Sequence, residues 1–235
     1  MVVEGPRALS TVLGAGVELI EIYLGVDGDD DRSGVLPAGL PAAGGRPRVS
    51  LVDRVVLDSI SDSETPQGLL ALARPSLVGL EEIGTPAPVV VIDGVQDPGN
   101  VGAIVRVAVA MGVGAVVTTL GTADPLSPRA VRASAGCMAL VPLCPRRRPE
   151  AVVDSFVRAG RQLLVADTAG TALSEVEVVT PWALVLGSEG RGVGESFRRA
   201  GTTPVSVPMA AGVESLNVAV TAGIVLYSLR GPDEG

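Results

Sequence analysis

The chain has 235 residues, of which 47% are hydrophobic and only 2% aromatic, and its formal net charge is −8. This length suits one large or two smaller domains, and the hydrophobic content excludes an intrinsically disordered protein. Because aromatic residues are scarce, aliphatic side chains must fill the core, and short runs of them favour strands flanked by helices. We therefore predict an α/β protein with two domains.

Charge and missing residue types exclude several kinds of function. A net charge of −8 argues against a protein that coats nucleic acid non-specifically, since such binding depends on cations that neutralise phosphates. The chain has no histidine, which excludes Ser-His-Asp and Cys-His catalytic arrangements. Cys137 and Cys144 do not have the spacing of a Cys-x-x-Cys pair. We predict that both are structural thiols and that the protein uses no metal.

The N-terminal sequence MVVEGPRALS lacks a basic region followed by an apolar stretch, and nowhere do about 18 apolar residues follow one another. This predicts a cytoplasmic protein without a membrane span. All 18 basic residues are arginine, the side chain best shaped for bidentate contacts to phosphate. The bias is compatible with an RNA partner, and a compositional bias of the genome would explain it equally well.

Helix-like and strand-like segments alternate in the first third of the chain. GPRALSTVLGAG has the apolar spacing of a helix, and VELIEIYLG reads as a strand. The Gly-, Pro- and Asp-rich stretch from Gly25 to Arg48 predicts a mobile loop or a poorly packed connection. A regular spacing of apolar residues returns in VSLVDRVVLDSIS, and LLALARP reads as a short strand. We place one domain in residues 1–78, a linker in 79–88 and a second domain in 89–235.

After the linker, strands and helices alternate regularly. The predicted strands are PVVVIDGV, GAVVTTL, MALVPL, RQLLVAD, WALVLG and TPVSVPM. Helical spacing is found in NVGAIVRVAVAMGV, in the second half of ADPLSPRAVRASAG and in VVDSFVRAG, and a long helix is predicted from about Leu216 to Leu229. This alternation predicts a mostly parallel sheet with helices on both faces.

Three segments carry the polar residues of a candidate site. In DGVQDPGNVGAIVR a turn leads into a helix, so Asn100 can approach a ligand while Arg106 lies about two turns further along. GSEGRG, residues 187–192, could hold a ligand with backbone amides, although it matches neither a Walker loop nor the dinucleotide fingerprint. In VPMAAGVESLNVAV, polar residues begin an apolar helix in greater number than capping requires. Each segment alone would also suit an ordinary turn.

Together, in this order and spacing, the segments resemble the three motifs of the SpoU/TrmH family of the SPOUT methyltransferase superfamily. The matching residues are Asn100-x-Gly102-x-x-x-Arg106, Leu186-Gly187-Ser188-Glu189-Gly190-x-Gly192, Val207-Pro208-Met209 and Ser215-Leu216-Asn217-Val218. The resemblance covers about residues 88–230, and VEGPRAL and SDSETPQGLLAL resemble the small α/β RNA-binding domain of rRNA-directed members. It implies a deep trefoil knot and a homodimer formed through the knotted domain, with the active site at the interface.

The resemblance further implies methyl transfer from S-adenosylmethionine to a ribose 2′-hydroxyl of structured RNA, with 23S rRNA as the favoured substrate. Residues expected to bind the donor are Leu186, Gly187, Val207, Met209, Ser215, Leu216 and Asn217. Catalytic residues are expected to be Asn100, Arg106, Glu189, Ser215 and Asn217, and RNA-binding residues Arg129 and Arg132. Gly190 and Gly192 are expected to leave room for the donor.

Arg106 is assigned in this family to activation of the 2′-hydroxyl. A guanidinium stays protonated in proteins and is a poor base. We therefore expect Arg106 to grip the adjacent phosphate and to stabilise negative charge on the ribose oxygen. Deprotonation assisted by phosphate stays open.

Two other functions stay open on the sequence alone. One is a tRNA-directed methyltransferase of the same family, although several of these carry terminal helices instead of an N-terminal domain. The other is a non-catalytic RNA-binding or ribosome-assembly module that kept the fold and lost turnover. The joint presence of Asn100, Arg106 and Glu189 with Ser215 and Asn217 counts against this second reading.

Overall fold

A computed structural model describes residues 1–27, 47–63, 65–84 and 86–230, which form two β-sheets with helices packed against them. Most of the loop predicted between Gly25 and Arg48 lies outside these residues. The strands are β1 (Val2–Glu4), β2 (Leu19–Val26), β3 (Arg48–Asp53), β4 (Leu69–Ala73), β5 (Val89–Asp93), β6 (Ala115–Thr119), β7 (Leu143–Arg147), β8 (Gln162–Ala172), β9 (Trp182–Gly187) and β10 (Thr203–Ser206). The helices are α1 (Pro6–Gly14), α2 (Arg54–Ile60), α3 (Pro98–Ala110), α4 (Pro128–Ala133), α5 (Pro149–Arg158), α6 (Glu195–Arg198) and α7 (Val218–Leu229), with 3₁₀ turns at Leu80–Glu82, Cys137–Ala139 and Leu173–Glu175.

The N-terminal sheet has the strand order β1-β4-β2-β3. Strand β4 pairs antiparallel with β1 and β2, whereas β2 and β3 are parallel. Helix α1 begins at Pro6, whose fixed φ suits a first helical turn, and buries Leu9 and Val12. Helix α2 begins after Asp53, whose carboxylate accepts a hydrogen bond of 2.8 Å from the Val55 amide. Local capping and burial thus define both helices.

The larger sheet is parallel throughout, with the order β10-β8-β9-β5-β6-β7. Alternate residues of its strands face opposite sides, so Val90 and Ile92 join one hydrophobic cluster while Val89 and Val91 join another. Helices α3, α4 and α7 cover the first side, and α5 and α6 cover the second. Burial on both faces explains why these strands are unbroken apolar runs in the sequence.

The direction of winding reverses in the middle of this sheet. From β5 the chain runs outward through β6 to β7, and it then returns through α5 to β8, on the far side of β9. Helix α3, which follows β5, therefore lies on one side of the sheet, while α6, which follows β9, lies on the other. The loops that leave these two neighbouring strands diverge, and a crevice opens between them at the carboxyl edge of the sheet.

The two sheets share one hydrophobic cluster. It contains Leu9 and Ile22 from the N-terminal region together with Ile104 and Met138 from the region of the larger sheet. Arg132 of α4 adds ion pairs to two N-terminal carboxylates. Within the described ranges, no helix has the length and apolar character needed to cross a bilayer.

The prediction of a strand at MALVPL is wrong. Met138 and Ala139 belong to a 3₁₀ turn, and β7 begins only at Leu143. Met138 and Val141 are buried nevertheless, because they join the cluster beneath α3. An apolar run in the sequence indicates burial, but it does not distinguish a buried turn from a buried strand.

The C-terminal helix begins at Val218 rather than at Leu216, because Asn217 caps it. Strand β8 extends past the predicted RQLLVAD as far as Ala172. Its additional residues pair with β10 through a register shift between Pro204 and Val205. Both differences concern element ends, where a side-chain cap or pairing with another strand decides the boundary and periodicity does not.

The connection between the sheets is packed, although its composition is that of a linker. The Arg161 side chain, only 4% exposed, donates to the carbonyl oxygens of Ala87 at 2.6 Å, Gly84 at 3.1 Å and Trp182 at 3.0 Å. Burial lowers the pKa of Arg161, and the three carbonyl dipoles compensate for the lost hydration of its charge. Arg161 therefore fastens the connection to the larger sheet.

Candidate active site

Three segments that are distant in sequence meet through hydrogen-bonded side chains. Glu189, in the loop after β9, accepts from Asn100 Nδ2 at 3.0 Å and from Asn217 Nδ2 at 3.1 Å, both on its Oε1 atom. Asn217 Nδ2 also donates to Asn100 Oδ1 at 3.0 Å. We refer to Asn100, Glu189 and Asn217 as the polar cluster. It joins the start of α3, the loop after β9 and the start of α7.

Helix α7 orients two members of this cluster. Asn217 Oδ1 accepts from the amides of Ala219 at 2.9 Å and Val220 at 3.3 Å, which leaves the Nδ2 group to donate within the cluster. Glu189 Oε1 lies 3.5 Å from the Val218 amide nitrogen, so its negative charge sits at the positive end of the helix. The helix start thus holds a carboxylate in a fixed direction.

The loop that carries Glu189 is folded tightly on itself. Ser188 and Gly192 exchange two backbone hydrogen bonds of 3.1 and 2.8 Å. A Cβ atom on Gly187 would lie 2.2 Å from the carbonyl carbon of Gly192, and Gly192 has a φ of +65°. Both positions require glycine. Gly190 differs, because a Cβ added there would have no heavy atom within 4 Å.

A cavity of about 360 Å³ opens beside this loop, and we call it the first cavity. Its lining includes Leu186, Gly187, Val207, Met209, Ser215 and Leu216, six of the residues predicted to bind the donor. Glu189 and Gly192 also line it, whereas Asn217 and Gly190 do not. Asn217 flanks the first cavity through the polar cluster.

The chemistry of the lining fits S-adenosylmethionine. An apolar wall that includes Leu186, Val205 and Val207 offers contact to a flat ring system. Asp167, Glu189 and Glu214 offer acceptors to hydroxyl and ammonium groups, and these three carboxylates outnumber the two arginines of the lining, Arg191 and Arg198. The residues present therefore suit a ligand that is apolar at one end and positively charged at the other.

Sequence reasoning missed several residues of the first cavity. Arg198 Nη2 lies 3.4 Å from Asp167 Oδ2, and Arg198 Nε donates to the carbonyl oxygen of Val193 at 2.9 Å. Arg198 thereby braces the loop after β9 against β8. A signal was present, because RQLLVAD ends on Asp167, and polar residues at the carboxyl ends of parallel strands commonly face a ligand.

Arg106 lies outside the polar cluster. It is six residues beyond Asn100, which places it about 9 Å further along the helix axis and about a third of a turn around it. It is exposed, it lines neither of the two cavities at this edge of the sheet, and no carboxylate of the described residues lies within 4.0 Å of its guanidinium. Burial raises the pKa of the Cys137 thiol, and the charge of Arg106 opposes that rise. Among the described residues, the hydrogen bonds of the polar cluster join Asn100, Glu189 and Asn217 and do not include Arg106.

The two arginines predicted to contact RNA are both engaged with acidic side chains. Arg129 Nη2 lies 3.4 Å from Asp97 Oδ1, and both side chains are about half exposed or more. Arg132 pairs with Asp62 at 3.2 Å and with Glu4 at 3.7 Å. Exposed pairs of this kind contribute little to stability, so Arg129 can exchange its partner readily.

Comparison with known proteins decides the family. The sequence model described as the SpoU rRNA Methylase family matches residues 87–227. A second, described as RNA 2′-O ribose methyltransferase substrate binding, matches residues 2–77. The chain belongs to the SpoU rRNA methylase family. The resemblance seen in the motifs is thereby confirmed, and with it the α/β fold and the transfer of a methyl group from S-adenosylmethionine to an RNA 2′-hydroxyl.

Relatives of this SpoU protein include two enzymes named for 23S rRNA. It is 31% identical over 236 residues to the 23S rRNA (guanosine-2′-O-)-methyltransferase RlmB of Coxiella burnetii, covering 96% of this chain and 93% of that protein. It is 34% identical over 173 residues to the 23S rRNA (guanosine(2553)-2′-O)-methyltransferase RlmP of Bacillus subtilis, covering 74% and 68%.

Solved structures extend the comparison. The SpoU methyltransferase AviRb from Streptomyces viridochromogenes, in complex with the cofactor AdoMet, has a TM-score of 0.83 and 25% identity, covering 97% of this chain and 88% of that one. A structure described by 2-OH methylation of C/U34 on tRNA has a TM-score of 0.52 and covers only 60% of this chain. The match to AviRb thus extends over nearly the whole chain, whereas the match to the tRNA enzyme leaves two fifths of it uncovered.

Proposed function

We propose that this SpoU protein methylates a ribose 2′-hydroxyl in 23S rRNA. The observation that carries the proposal is the substrate-binding match over residues 2–77, which accompanies the catalytic match in one chain. A relative named for 23S rRNA aligns over nearly its full length, whereas the tRNA-directed structure aligns with 60% of this chain. Both named rRNA relatives act on guanosine, so guanosine is the target to seek first.

The two regions have separate tasks in this proposal. Residues 1–78 recognise the RNA, residues 79–88 connect, and residues 89–235 carry out the transfer. Arg129 and Arg132 contact RNA phosphates when they exchange their carboxylate partners. A ribosomal RNA substrate also supports a cytoplasmic location.

The first cavity is the proposed donor site. S-adenosylmethionine supplies the methyl group as a sulfonium, and no metal is required. Backbone groups of Gly187, Val207 and Leu216 hold the adenosyl end, and Leu186, Met209 and Ser215 complete the wall. Glu189 and Asn217 stand at the boundary of this cavity, where the polar cluster fixes their orientation.

We propose that four polar residues orient the acceptor ribose, namely Asn100, Glu189, Ser215 and Asn217. Arg106 is proposed to grip the neighbouring phosphate and to stabilise charge that develops on the ribose oxygen. Within the described part of one chain, however, Arg106 takes no part in the hydrogen bonds of the polar cluster and lines neither cavity. We therefore propose that it acts on the cavity of a partner subunit, in a homodimer that also has the trefoil knot of the family.

An apolar stripe on α7 supports this dimer. Val220, Ile224 and Tyr227 are 51%, 38% and 71% exposed and follow one another at intervals of three or four residues. Such spacing places them on one side of the helix. An exposed apolar stripe is characteristic of a protein interface, and α7 packs beside α3, the helix that carries Arg106.

The test is methyl transfer from labelled S-adenosylmethionine to purified 23S rRNA and, separately, to bulk tRNA, with the modified nucleotide mapped by primer extension. We expect one stoichiometric 2′-O-methylation in 23S rRNA and none in tRNA. Methylation of tRNA alone would contradict the proposal. A non-catalytic module would bind RNA and transfer no methyl group to either, so the same assay distinguishes it.

A further inference from the structure

A second cavity, of about 480 Å³, lies at the carboxyl ends of β5 and β9, where the winding of the sheet reverses. We call it the switch-point crevice. One wall is the loop after β5, another is the loop after β9, and Leu120 and Gly121 close the side next to β6. Ser188, Glu189, Arg191 and Gly192 line both this crevice and the first cavity. The loop after β9 therefore separates two neighbouring sites.

Buried hydrogen bonds fix the shape of the crevice. Asp93, 7% exposed, accepts from Thr119 Oγ1 at 2.6 Å on one oxygen and from the Gly194 amide at 2.7 Å on the other. Thr122 Oγ1 accepts from the Gly94 amide and donates to the carbonyl oxygen of Ile92, both at 2.9 Å. These bonds tie the loops after β5, β6 and β9 together. These bonds give the crevice a fixed shape, as is usual for binding sites.

Charge indicates which kind of ligand fits. The lining has three carboxylates, Asp93, Asp97 and Glu189, against one cation, Arg191, and Asp97 is paired with Arg129 from outside the lining. This balance disfavours a phosphate and favours a neutral group rich in N–H donors. Leu120 adds an apolar surface that is 48% exposed. A nucleobase has the required properties, since it is neutral, carries N–H donors and has flat apolar faces.

We infer that the switch-point crevice receives the base of the nucleotide that is methylated. This inference rests on the proposed function and deepens it. A base in the crevice places its own ribose at the wall shared with the first cavity, beside Glu189. Methyl transfer requires the acceptor oxygen, the methyl carbon and the sulfur in line, and two sites with a common wall provide that proximity. The sugar-phosphate backbone stays outside, near the exposed arginines.

Gly190 allows a direct test, because it lines the crevice but not the first cavity, and a side chain there would meet open space. Gly190→Leu should fold and bind S-adenosylmethionine with unchanged affinity in calorimetry. Its kcat/KM on 23S rRNA should fall about a hundredfold, because the acceptor is displaced from its productive position. Gly84→Leu is the matched control, since it adds the same side chain in open space, outside both cavities and outside residues 1–78. The control should retain the wild-type kcat/KM.

A wild-type kcat/KM in Gly190→Leu would overturn the inference. Loss of donor binding would overturn it too, because it would place Gly190 in the donor site. Both outcomes would leave the proposed function intact. Absence of methylation by the wild-type protein would overturn the proposed function itself. If circular dichroism shows that Gly190→Leu is unfolded, Leu120→Ala replaces it. The exposed Leu120 adds little to the core, so this variant should fold and raise the KM for RNA at unchanged donor affinity. An unchanged KM would overturn the inference.

Discussion

Arg106 is exposed on α3 and lines neither cavity, so its removal tests chemistry separately from folding and donor binding. Arg106→Ala should fold normally and bind S-adenosylmethionine with wild-type affinity. Its rate of methyl transfer should fall at least about a hundredfold, which is the effect of losing one preorganised electrostatic contact in a transition state. Single-turnover kinetics at saturating donor and RNA would measure the change.

Two further variants complete that experiment. Arg106→Lys should recover little activity, because an ammonium group cannot reproduce the two-pronged contact of a guanidinium with phosphate. Arg158→Ala removes an exposed arginine from α5, on the opposite side of the larger sheet, and should keep the wild-type rate. Near-normal turnover by Arg106→Ala would mean that Arg106 merely solvates a helix face, and the proposed role would be wrong.

The sequence indicated which polar residues matter more clearly than how they are connected. Motif resemblance selected Asn100, Glu189 and Asn217, and the structure joins them by hydrogen bonds of 3.0 to 3.1 Å. The polar residues at the start of α7 also indicated a cap, which Asn217 provides. Asp93 and Asp167 were missed, although Asp167 ends a predicted strand, because the partners of their carboxylates come from distant segments.

At the scale of elements, the end of β9 and the loop after it restrict most strictly which residues can occupy their positions. Gly187→Ala should lower the affinity for S-adenosylmethionine at least about tenfold, equivalent to roughly 1.4 kcal/mol, because its Cβ would push Gly192 out of the wall of the first cavity. Gly190→Ala is the matched control in the same loop and should bind the donor like the wild type. Calorimetry on both proteins measures the difference. Equal affinities would refute the assignment of this loop to donor binding.

Periodicity identified most elements of the larger sheet, because strands buried on both faces are continuous apolar runs. Periodicity wrongly predicted a strand at MALVPL, where a turn is buried beneath α3. Composition predicted only a linker at the connection that Arg161 holds against the larger sheet. In both places the deciding contacts come from other elements. Patterns within one segment predict its burial better than its conformation.

At the scale of the whole molecule, the N-terminal region and the larger sheet are joined firmly. A common hydrophobic cluster and the hydrogen bonds of Arg161 act at or near their junction. An RNA held by the N-terminal sheet would therefore meet the polar cluster in a defined orientation. The sequence predicted two regions from composition and resemblance, but it could not predict this attachment, which depends on contacts between them.

The proposed homodimer would complete the active site, since Arg106 takes no part in the hydrogen bonds of its own chain's polar cluster and lines neither cavity. If Arg106 acts on the partner's donor site, then Arg106→Ala and Glu189→Ala damage different halves of each site. A mixed dimer of the two variants contains one site with intact Glu189 from one subunit and intact Arg106 from the other. Its second site lacks both residues. Two inactive proteins should therefore form a partly active one.

Mixing the Arg106→Ala and Glu189→Ala variants tests the shared active site directly. Each variant alone should be almost inactive, whereas co-expression in equal amounts should restore about a quarter of wild-type activity, because half of the dimers are mixed and each has one intact site. The wild-type protein should sediment as a dimer, and Ile224→Asp, which charges the apolar stripe of α7, should sediment as a monomer. If Arg106 and Glu189 serve the same subunit, every site in a mixed dimer is damaged. No recovery in a confirmed mixed dimer would therefore place Arg106 in its own chain's site and contradict the shared one.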